Sequence, residues 1–255
     1  MRFGLIGHPL AGSVSPAIFA RAYGGKWPYD LIDGADFELS WQKFLSDYRA
    51  INITAPFKEL AFARVDSVAE DCAAIGAINI AVKTPEGIKG YNSDYLGVRK
   101  VLEDNGFGPG HVAVVAGFGG AGKAAYAAAR SLGMDTVVCN RTPKSLSGCS
   151  YQQDASLPVD PAKQFGERPC QPGTAVLQTR PLEELPMLAA VADILIYTLP
   201  MPTEGVSCPA VLEANYKTPG MEYAATELYI RGNVWHLEQA RTGYALMTGE
   251  EPFGL

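Results

Sequence analysis

Short apolar blocks, punctuated by glycine and proline, run the length of this chain, and their periods separate strands from helices. Arg2 to Gly7 reads as a strand stopped by Gly7 and Pro9, and Tyr29 to Asp33 as a second. Between Asp36 and Tyr48 the apolar residues Phe37, Trp41, Phe44, Leu45 and Tyr48 recur at helical spacing, with Asp36 or Ser40 near the start. Ala50 to Thr54 is a short strand ended by Pro56, and Glu70 to Ile75 a short helix ended by Gly76. Ile78 to Val82 and Ile88 to Tyr91 form two strands joined through Pro85-Glu86-Gly87, a hairpin signal. Asp94 to Glu103 is helical, and Asn105-Gly106 and Pro109-Gly110 then break the pattern.

Val112 to Ala116 is a continuous apolar strand of the kind buried on both faces of a parallel sheet. An alanine-rich helix from Gly119 to Leu132 and a strand from Thr136 to Asn140 complete a βαβ unit, which predicts an open parallel sheet with helices on its faces. Ser145 to Gln178 has little periodicity and reads as irregular structure. Leu182 to Val191 is a helix, Asp193 to Leu199 and Val211 to Tyr216 are strands, and Trp235 to Thr248 is a final helix. The fold class is therefore α/β. At 255 residues, one large domain or two small ones are expected, with a junction near Gly106 to Gly110.

Composition narrows the function. Hydrophobic residues are 47% and charged residues 19%, so the chain can bury a core and is not globally disordered. The apolar runs fall far short of the ~20 residues that span a bilayer. The net charge of −6 argues against generic nucleic-acid binding, which needs basic surface. The five cysteines form no C-x-x-C pair, and the three histidines (His8, His111, His236) have no ligand spacing, so neither a disulfide framework nor a metal is expected. The apolar stretch before His8 is too short for a signal peptide, so a cytoplasmic protein is expected.

Gly117-Phe118-Gly119-Gly120-Ala121-Gly122 satisfies G-x-G-x-x-G between a strand and a helix, the context in which that pattern signals a dinucleotide. Gly117 permits the turn, Gly119 lets backbone approach a pyrophosphate, and Gly122 lets helix pack on strand; Gly120 and Ala121 open the helix, whose N–H groups face the phosphates. The next strand ends in Asn140-Arg141-Thr142, without the carboxylate that would hold an NAD ribose. A guanidinium there suits a 2′-phosphate, so NADP(H) is the expected cofactor.

Three polar clusters follow strand ends in the first hundred residues. Ser13 and Ser15, in Gly7-His8-Pro9-Leu10-Ala11-Gly12-Ser13-Val14-Ser15-Pro16, are placed to share an acceptor such as a carboxylate, or Ser15 caps a helix beginning at Pro16. Asn52-Ile53-Thr54-Ala55-Pro56-Phe57-Lys58-Glu59 gathers an amide, a hydroxyl and an ammonium, and a lysine held in a cleft is a proton donor. Gly76-Ala77-Ile78-Asn79 and Gly90-Tyr91-Asn92-Ser93-Asp94 supply an amide and a carboxylate. Asp94 either caps the next helix or pairs with Lys58.

Taken together and in this order, these segments resemble the shikimate dehydrogenase family, closely over residues 1–142 and again near 211–250, weakly between 143 and 210. The resemblance implies an N-terminal α/β substrate domain and a C-terminal Rossmann, doubly wound NADP-binding domain, with the active site in the interdomain cleft. The expected division is 1–97 with 235–255 for the substrate domain, since the last helix returns to it, and 98–234 for the Rossmann domain. It implies reversible reduction of 3-dehydroshikimate to shikimate on the route to chorismate and aromatic amino acids. By the same resemblance Ser13 and Ser15 hold the substrate carboxylate. Thr54, Asn79 and Gln239 bind hydroxyls or assist, Tyr216 lines the site, and Lys58 with Asp94 is the catalytic pair. The expected partner is a small molecule, with no nucleic acid or membrane, in a monomer or homodimer.

Departures from the family pattern are local. Ile80 stands where a threonine is usual and costs a hydroxyl, whereas Ser93, also for threonine, keeps one. The usual Asn-x-Thr near the nicotinamide reads Tyr197-Thr198-Leu199, Asp-Met-x-Tyr reads Glu213-Ala214-Asn215-Tyr216, and Gly-Met-Leu before the glutamine reads Val234-Trp235-His236-Leu237-Glu238. Two other readings compete: a quinate or broader cyclitol dehydrogenase, and a non-catalytic NADP-binding sensor. The sensor has no need of Lys58 and Asp94.

Overall fold

Two six-stranded sheets, each flanked by helices, organise the chain, and each belongs to its own compact unit: Met1–Asn105 with Val234–Leu255, and Gly106–Asn233. The structure is a computed structural model and describes residues 1–141, 145–146 and 177–255.

In chain order the first unit holds β1 (Phe3–Gly7), α1 (Ser15–Ala22), β2 (Tyr29–Asp33), α2 (Phe37–Asp47), β3 (Ala50–Ile53), α3 (Lys58–Phe62) and β4 (Ser67–Val68). It continues with α4 (Glu70–Ile75), β5 (Ile80–Thr84), β6 (Gly87–Tyr91) and α5 (Ser93–Asp104). The strand order is β2-β1-β3-β5-β6-β4, parallel at β2-β1-β3 and antiparallel through the β5-β6 hairpin. Alternation along the strands divides the core between the two faces of the sheet. Ile6, Ile51, Ile53 and Ile78 pack with Trp41 and Phe44 of α2 on one face. Phe3, Ala50, Ile80 and Val82 pack with Phe19 and with Ala240, Tyr244 and Met247 of the last helix on the other.

The second unit contains β7 (Val112–Ala116), α6 (Gly120–Ser131), β8 (Asp135–Asn140), the two-residue strands β9 (Ser145–Leu146) and β10 (Leu177–Gln178), and β11 (Arg180–Pro181). A 3₁₀ turn (Leu182–Glu184) leads into α7 (Leu185–Ala189), followed by β12 (Ile194–Tyr197), β13 (Ala210–Glu213) and β14 (Leu228–Ile230). The order β11-β8-β7-β12-β13-β14 is parallel throughout and reverses direction between β7 and β12, the doubly wound arrangement. All five residues of β7 are buried, and α6 buries Ala124, Ala125 and Ala127–Ala129, whose small side chains suit a close helix–sheet layer. α8 (Gly232–Thr248) closes the element order and carries most of its length in the first unit.

Element boundaries moved for identifiable reasons. The unit junction falls at Asn105/Gly106 rather than at 97/98, because α5 runs unbroken to Asp104 and buries Val98, Val101 and Leu102. Asn92, not Asp94, caps α5, its side chain accepting from Tyr95 N at 3.1 Å. Ser15 is the first residue of α1 rather than its cap, and the capping residue Val14 makes no side-chain bond. The strand expected over Val211 to Tyr216 ends at Glu213, where the chain turns to bury that carboxylate. The helix expected over Leu182 to Val191 is part 3₁₀, with Pro186 in its first α-turn. β9 and β10 pair at the two ends of the stretch read as irregular, and residues 147–176 lie outside the described residues. Cys72, Cys139 and Cys208 are buried thiols, and burial pushes Cys139 up to about 12. Among the described residues no helix is long and apolar enough to cross a membrane.

Phe44 is fully buried against Trp41 at a ring distance of 5.0 Å. Phe44→Ala is expected to destabilise the first unit by about 3–5 kcal/mol in urea unfolding. A loss below about 1 kcal/mol would mean that this layer collapses to refill the space.

Candidate active site

Parallel strands end together, so the loops after β1 and β3 leave the sheet side by side. Gly7 is required where they cross: a Cβ there would lie 2.4 Å from Thr54 Cγ2 and 3.1 Å from Ala55 O. His8 N donates to Ala55 O at 3.1 Å and Thr54 N to Ile6 O at 3.0 Å, which locks Thr54 beside the serine loop. Ser13 and Ser15 are brought together, their hydroxyl oxygens 3.3 Å apart, and Ser13 N donates to Leu10 O at 3.0 Å. Asp33, at the end of β2, holds this loop at two points, accepting from Leu10 N at 3.0 Å and bonding His8 Nδ1 at 2.8 Å. Those two bonds, the Leu10 amide first, hold the Asp33 carboxyl below its ordinary range.

Lys58 opens α3 and Asp94 lies in the first turn of α5, where a carboxylate is favoured by the helix dipole. The two come from positions 36 apart in sequence, and Lys58 Nζ meets Asp94 Oδ2 at 2.5 Å. Their side chains are 24% and 13% exposed, so the pair is shielded yet reachable. Both backbones are tied down: Ile78 N donates to Lys58 O at 3.2 Å, and Trp235 Nε1 donates to Asp94 O at 3.1 Å.

Asn79 is buried beside this pair's strands, its Oδ1 accepting from Ser93 N at 2.7 Å and from the Ser93 hydroxyl at 3.3 Å. With its oxygen so used, Asn79 keeps its amide N–H groups as donors. Ile80, the next residue, points to the opposite face and is fully buried in the Phe3–Phe19 core, so the missing hydroxyl is lost to the core side of the sheet. Gln239 on α8 bonds His236 Nδ1 at 2.9 Å, and its backbone lies so close to α5 that a Cβ on Gly97 would meet Gln239 N at 2.8 Å. The sequence reading missed two polar residues of this unit: Tyr29 donates to Asn52 Oδ1 at 2.7 Å, and Asn52 Nδ2 reaches Asn79 O at 3.5 Å. In the sequence Asn52 is only the amide of its polar cluster, and Tyr29 carries only a strand signal.

In the second unit the glycine turn sits at the carboxyl end of β7, at the point where strand order reverses. A Cβ on Gly122 would lie 2.2 Å from Gly117 O, so only glycine permits this approach of α6 to the turn. Around Gly119 there is open space, and no side chain caps α6 there, so the first N–H groups of the helix face an open cradle. Gly119 and Gly120 are exposed and Ala121 is half-buried, which fits the backbone cradle that a pyrophosphate requires. Thr198 donates to Ala116 O at 2.7 Å and packs against Gly117, joining β12 to the turn. Asn140 ends β8, Arg141 follows it exposed, and Thr142 lies outside the described residues. Tyr197 is fully buried where the family has asparagine, and its hydroxyl holds the next loop through Met201 O and the Thr203 hydroxyl.

Tyr216 belongs to this second unit, 40% exposed after β13, and lines a cavity of about 250 Å³ with Asn215, Tyr229 and Arg231. Its loop is closed by buried Glu213, which accepts from Gly220 N at 2.5 Å, Met221 N at 3.2 Å and the Tyr229 hydroxyl. Among the described residues no cluster of three or more His, Cys, Asp or Glu has the placement of a metal site.

Residues 5–81 match the family model described as the shikimate dehydrogenase substrate binding domain. A shikimate dehydrogenase (NADP(+)) of Thermus thermophilus is 35% identical over 149 residues, which cover 56% of this chain and 57% of that relative. One of Halothermothrix orenii is 37% identical over 150 residues, 55% of this chain and 52% of the relative. The chain thus spans little more than half the length of the curated relatives it matches. Similarity of fold extends further: the Thermus thermophilus shikimate 5-dehydrogenase in complex with NADP(H) and shikimate superposes with TM-score 0.73 at 26% identity, covering 100% of this chain and 95% of that one.

Asp33 and Gly122 supply direct tests. Because the folded-state pKa of Asp33 is depressed, its contribution is present above its unfolded pKa of about 3.9 and is lost as pH falls through the lower folded value. Asp33→Asn, which turns one acceptor into a donor, is expected to melt below the parent protein at neutral pH, the gap closing below about pH 3. A gap independent of pH would show that the charge is not involved. Gly122→Ala is expected to weaken NADPH binding by at least about tenfold in a fluorescence titration, with the far-UV spectrum retained. Unchanged affinity would show that the turn does not hold the dinucleotide.

Proposed function

We propose that the chain is a member of the shikimate dehydrogenase family and an NADP-dependent shikimate dehydrogenase, reducing 3-dehydroshikimate reversibly to shikimate. The observation that carries the reading is the Lys58–Asp94 pair, shielded and 2.5 Å apart, in the unit whose sequence matches the family's substrate-binding model. A binding protein without chemistry gains nothing from burying an ammonium in that position.

The first unit holds the substrate. Ser13 and Ser15 offer hydroxyl donors to its carboxylate on a loop that Asp33 stiffens. Asn79 offers its amide N–H groups, Thr54 its hydroxyl and Gln239 its amide to the ring hydroxyls. Tyr216, in the second unit, is the further substrate-binding residue that the family resemblance implies. In the second unit the Gly117–Gly122 turn with the α6 amides receives the pyrophosphate, and Asn140, Arg141 and Thr142 receive the adenosine 2′-phosphate. NADPH, when bound, supplies the hydride.

The proton is the protein's part of the reaction. As the substrate carbonyl is reduced, negative charge grows on its oxygen, and Lys58 Nζ–H donates to that oxygen. Asp94 holds Nζ in place for that transfer. In the reverse direction Lys58 as neutral amine takes the hydroxyl proton, and Asp94 stabilises the ammonium formed. The Lys58 backbone, fixed through α3 and the Ile78–Lys58 bond, and the ion pair to Asp94 limit the search for this geometry.

NADPH absorbance decides the activity. Shikimate with NADP⁺ is expected to turn over faster than shikimate with NAD⁺ or quinate with NADP⁺. No turnover of shikimate overturns the assignment, and faster quinate turnover reassigns the substrate. Lys58→Ala is expected to lower kcat by about 10³-fold with KM changed only a few-fold. A change confined to KM would make Lys58 a binding residue alone. Arg141→Ala is expected to raise KM for NADP⁺ about tenfold and leave that for NAD⁺ unchanged. Equal effects on both would remove Arg141 from the phosphate site.

A further inference from the structure

We infer that His236 is a positioning residue for the substrate ring, holding the Gln239 amide in the orientation in which it meets a ring hydroxyl. The inference rests on the proposed dehydrogenase reading, in which Gln239 binds that ring.

α8 gives both residues a rigid base. It buries Trp235, Ala240, Tyr244 and Met247, the last three in the core with Phe3 and Phe19. Trp235 and Gln239 stand four positions apart and so share a face of the helix. Trp235 meets Asp94 O through its indole N–H, and Gln239 meets Gly97, three residues further along α5. A Cβ on Gly97 would lie 2.8 Å from Gln239 N and 3.0 Å from Gln239 Cβ, so the two helices touch there at backbone distance. The root of the Gln239 side chain is thereby fixed one turn along α5 from Asp94.

The tip of that side chain is fixed by His236. The two residues are half-buried and three positions apart on α8, a spacing at which helix neighbours meet, and Gln239 Nε2 lies 2.9 Å from His236 Nδ1. An amide nitrogen only donates, so the ring nitrogen accepts. The amide oxygen of Gln239 and its second N–H are then left for the ring hydroxyls of the substrate. His236 stands in Val234-Trp235-His236-Leu237-Glu238, where the family pattern is Gly-Met-Leu, so the bond arises from this chain's own departure from that pattern. A glutamine without such a partner loses rotamer freedom when it binds a ligand, whereas one held in advance has already lost it. His236 thus lowers the ordering cost of ring binding, and it takes no part in the reduction itself.

The test is a double-mutant cycle on the whole chain with shikimate and NADP⁺. His236→Leu removes the acceptor and is expected to raise KM for shikimate about three- to tenfold, the scale of ordering one long side chain, with kcat within about twofold. His236→Asn, whose amide oxygen can take the place of Nδ1 as acceptor, is expected to keep KM within about twofold of the parent. In a Gln239→Ala background His236→Leu is expected to cost less than about twofold, since the group it acts through is gone. A merely structural role predicts the same loss in both backgrounds. That result, a loss in His236→Asn equal to that in His236→Leu, or a fall in kcat at constant KM overturns the inference. Should His236→Leu not fold, His236→Ala replaces it under the same expectations. Wild-type turnover is measured first: its absence overturns the dehydrogenase reading and this inference together, whereas turnover with equal losses in the two backgrounds overturns this inference alone.

Discussion

The contact between Lys58 and Asp94 sets what the rest of the first unit has to provide. A charged pair that is 24% and 13% exposed needs nearly complete neutralisation, and a 2.5 Å separation leaves little freedom to either side chain. Neither residue fixes the other by sequence proximity. Lys58 is delivered by β3 through the turn at Pro56, and Asp94 by β6 through the cap at Asn92. The β3-β5-β6 antiparallel ladder brings those strand ends together, and the Ile78–Lys58 and Trp235–Asp94 bonds remove the remaining play. The core on both sheet faces serves this placement, because a rigid floor fixes the two backbones from which these side chains meet.

Polar and apolar chemistry share single strands by alternation. Asn79 and Ile80 are neighbours, and the pleat sends one to the polar cluster and the other into the aromatic core with Phe19. The departure at Ile80 therefore alters core packing rather than the site, while the retained hydroxyl of Ser93 touches Asn79 directly. In the second unit the substitutions are larger. Tyr197 and Glu213 are both fully buried, and each uses its extra length to secure a following loop. Those loops are anchored from beneath by side chains that a shorter residue at the same position does not replace.

Much of this was legible in the residues. β2, α4 and β7 fell where periodicity and glycine placed them, since each is a short block with one clear stop signal. The glycine turn was readable because steric need leaves a residue-type signature: a Cβ on Gly122 would meet Gly117 O at 2.2 Å. Less legible were α3 and β14, only 5 and 3 residues long, whose existence depends on tertiary packing more than on pattern. Helix capping stayed open at Asp94 and Ser15, because several adjacent polar residues were each able to cap and only the backbone path selects among them.

The sequence by itself determined the α/β class, the two-part organisation, the glycine turn and the residue types available to each loop. These are local properties, written in period, turn residues and residue chemistry. Only the tertiary structure decided which of those groups meet. It joined Lys58 to Asp94 and turned Asp33 onto the serine loop. It also brought Tyr29 to Asn52, and assigned Tyr216 to the second unit. Each of these depends on strand order and register, which are set by burial over the whole sheet and leave no mark at any one position.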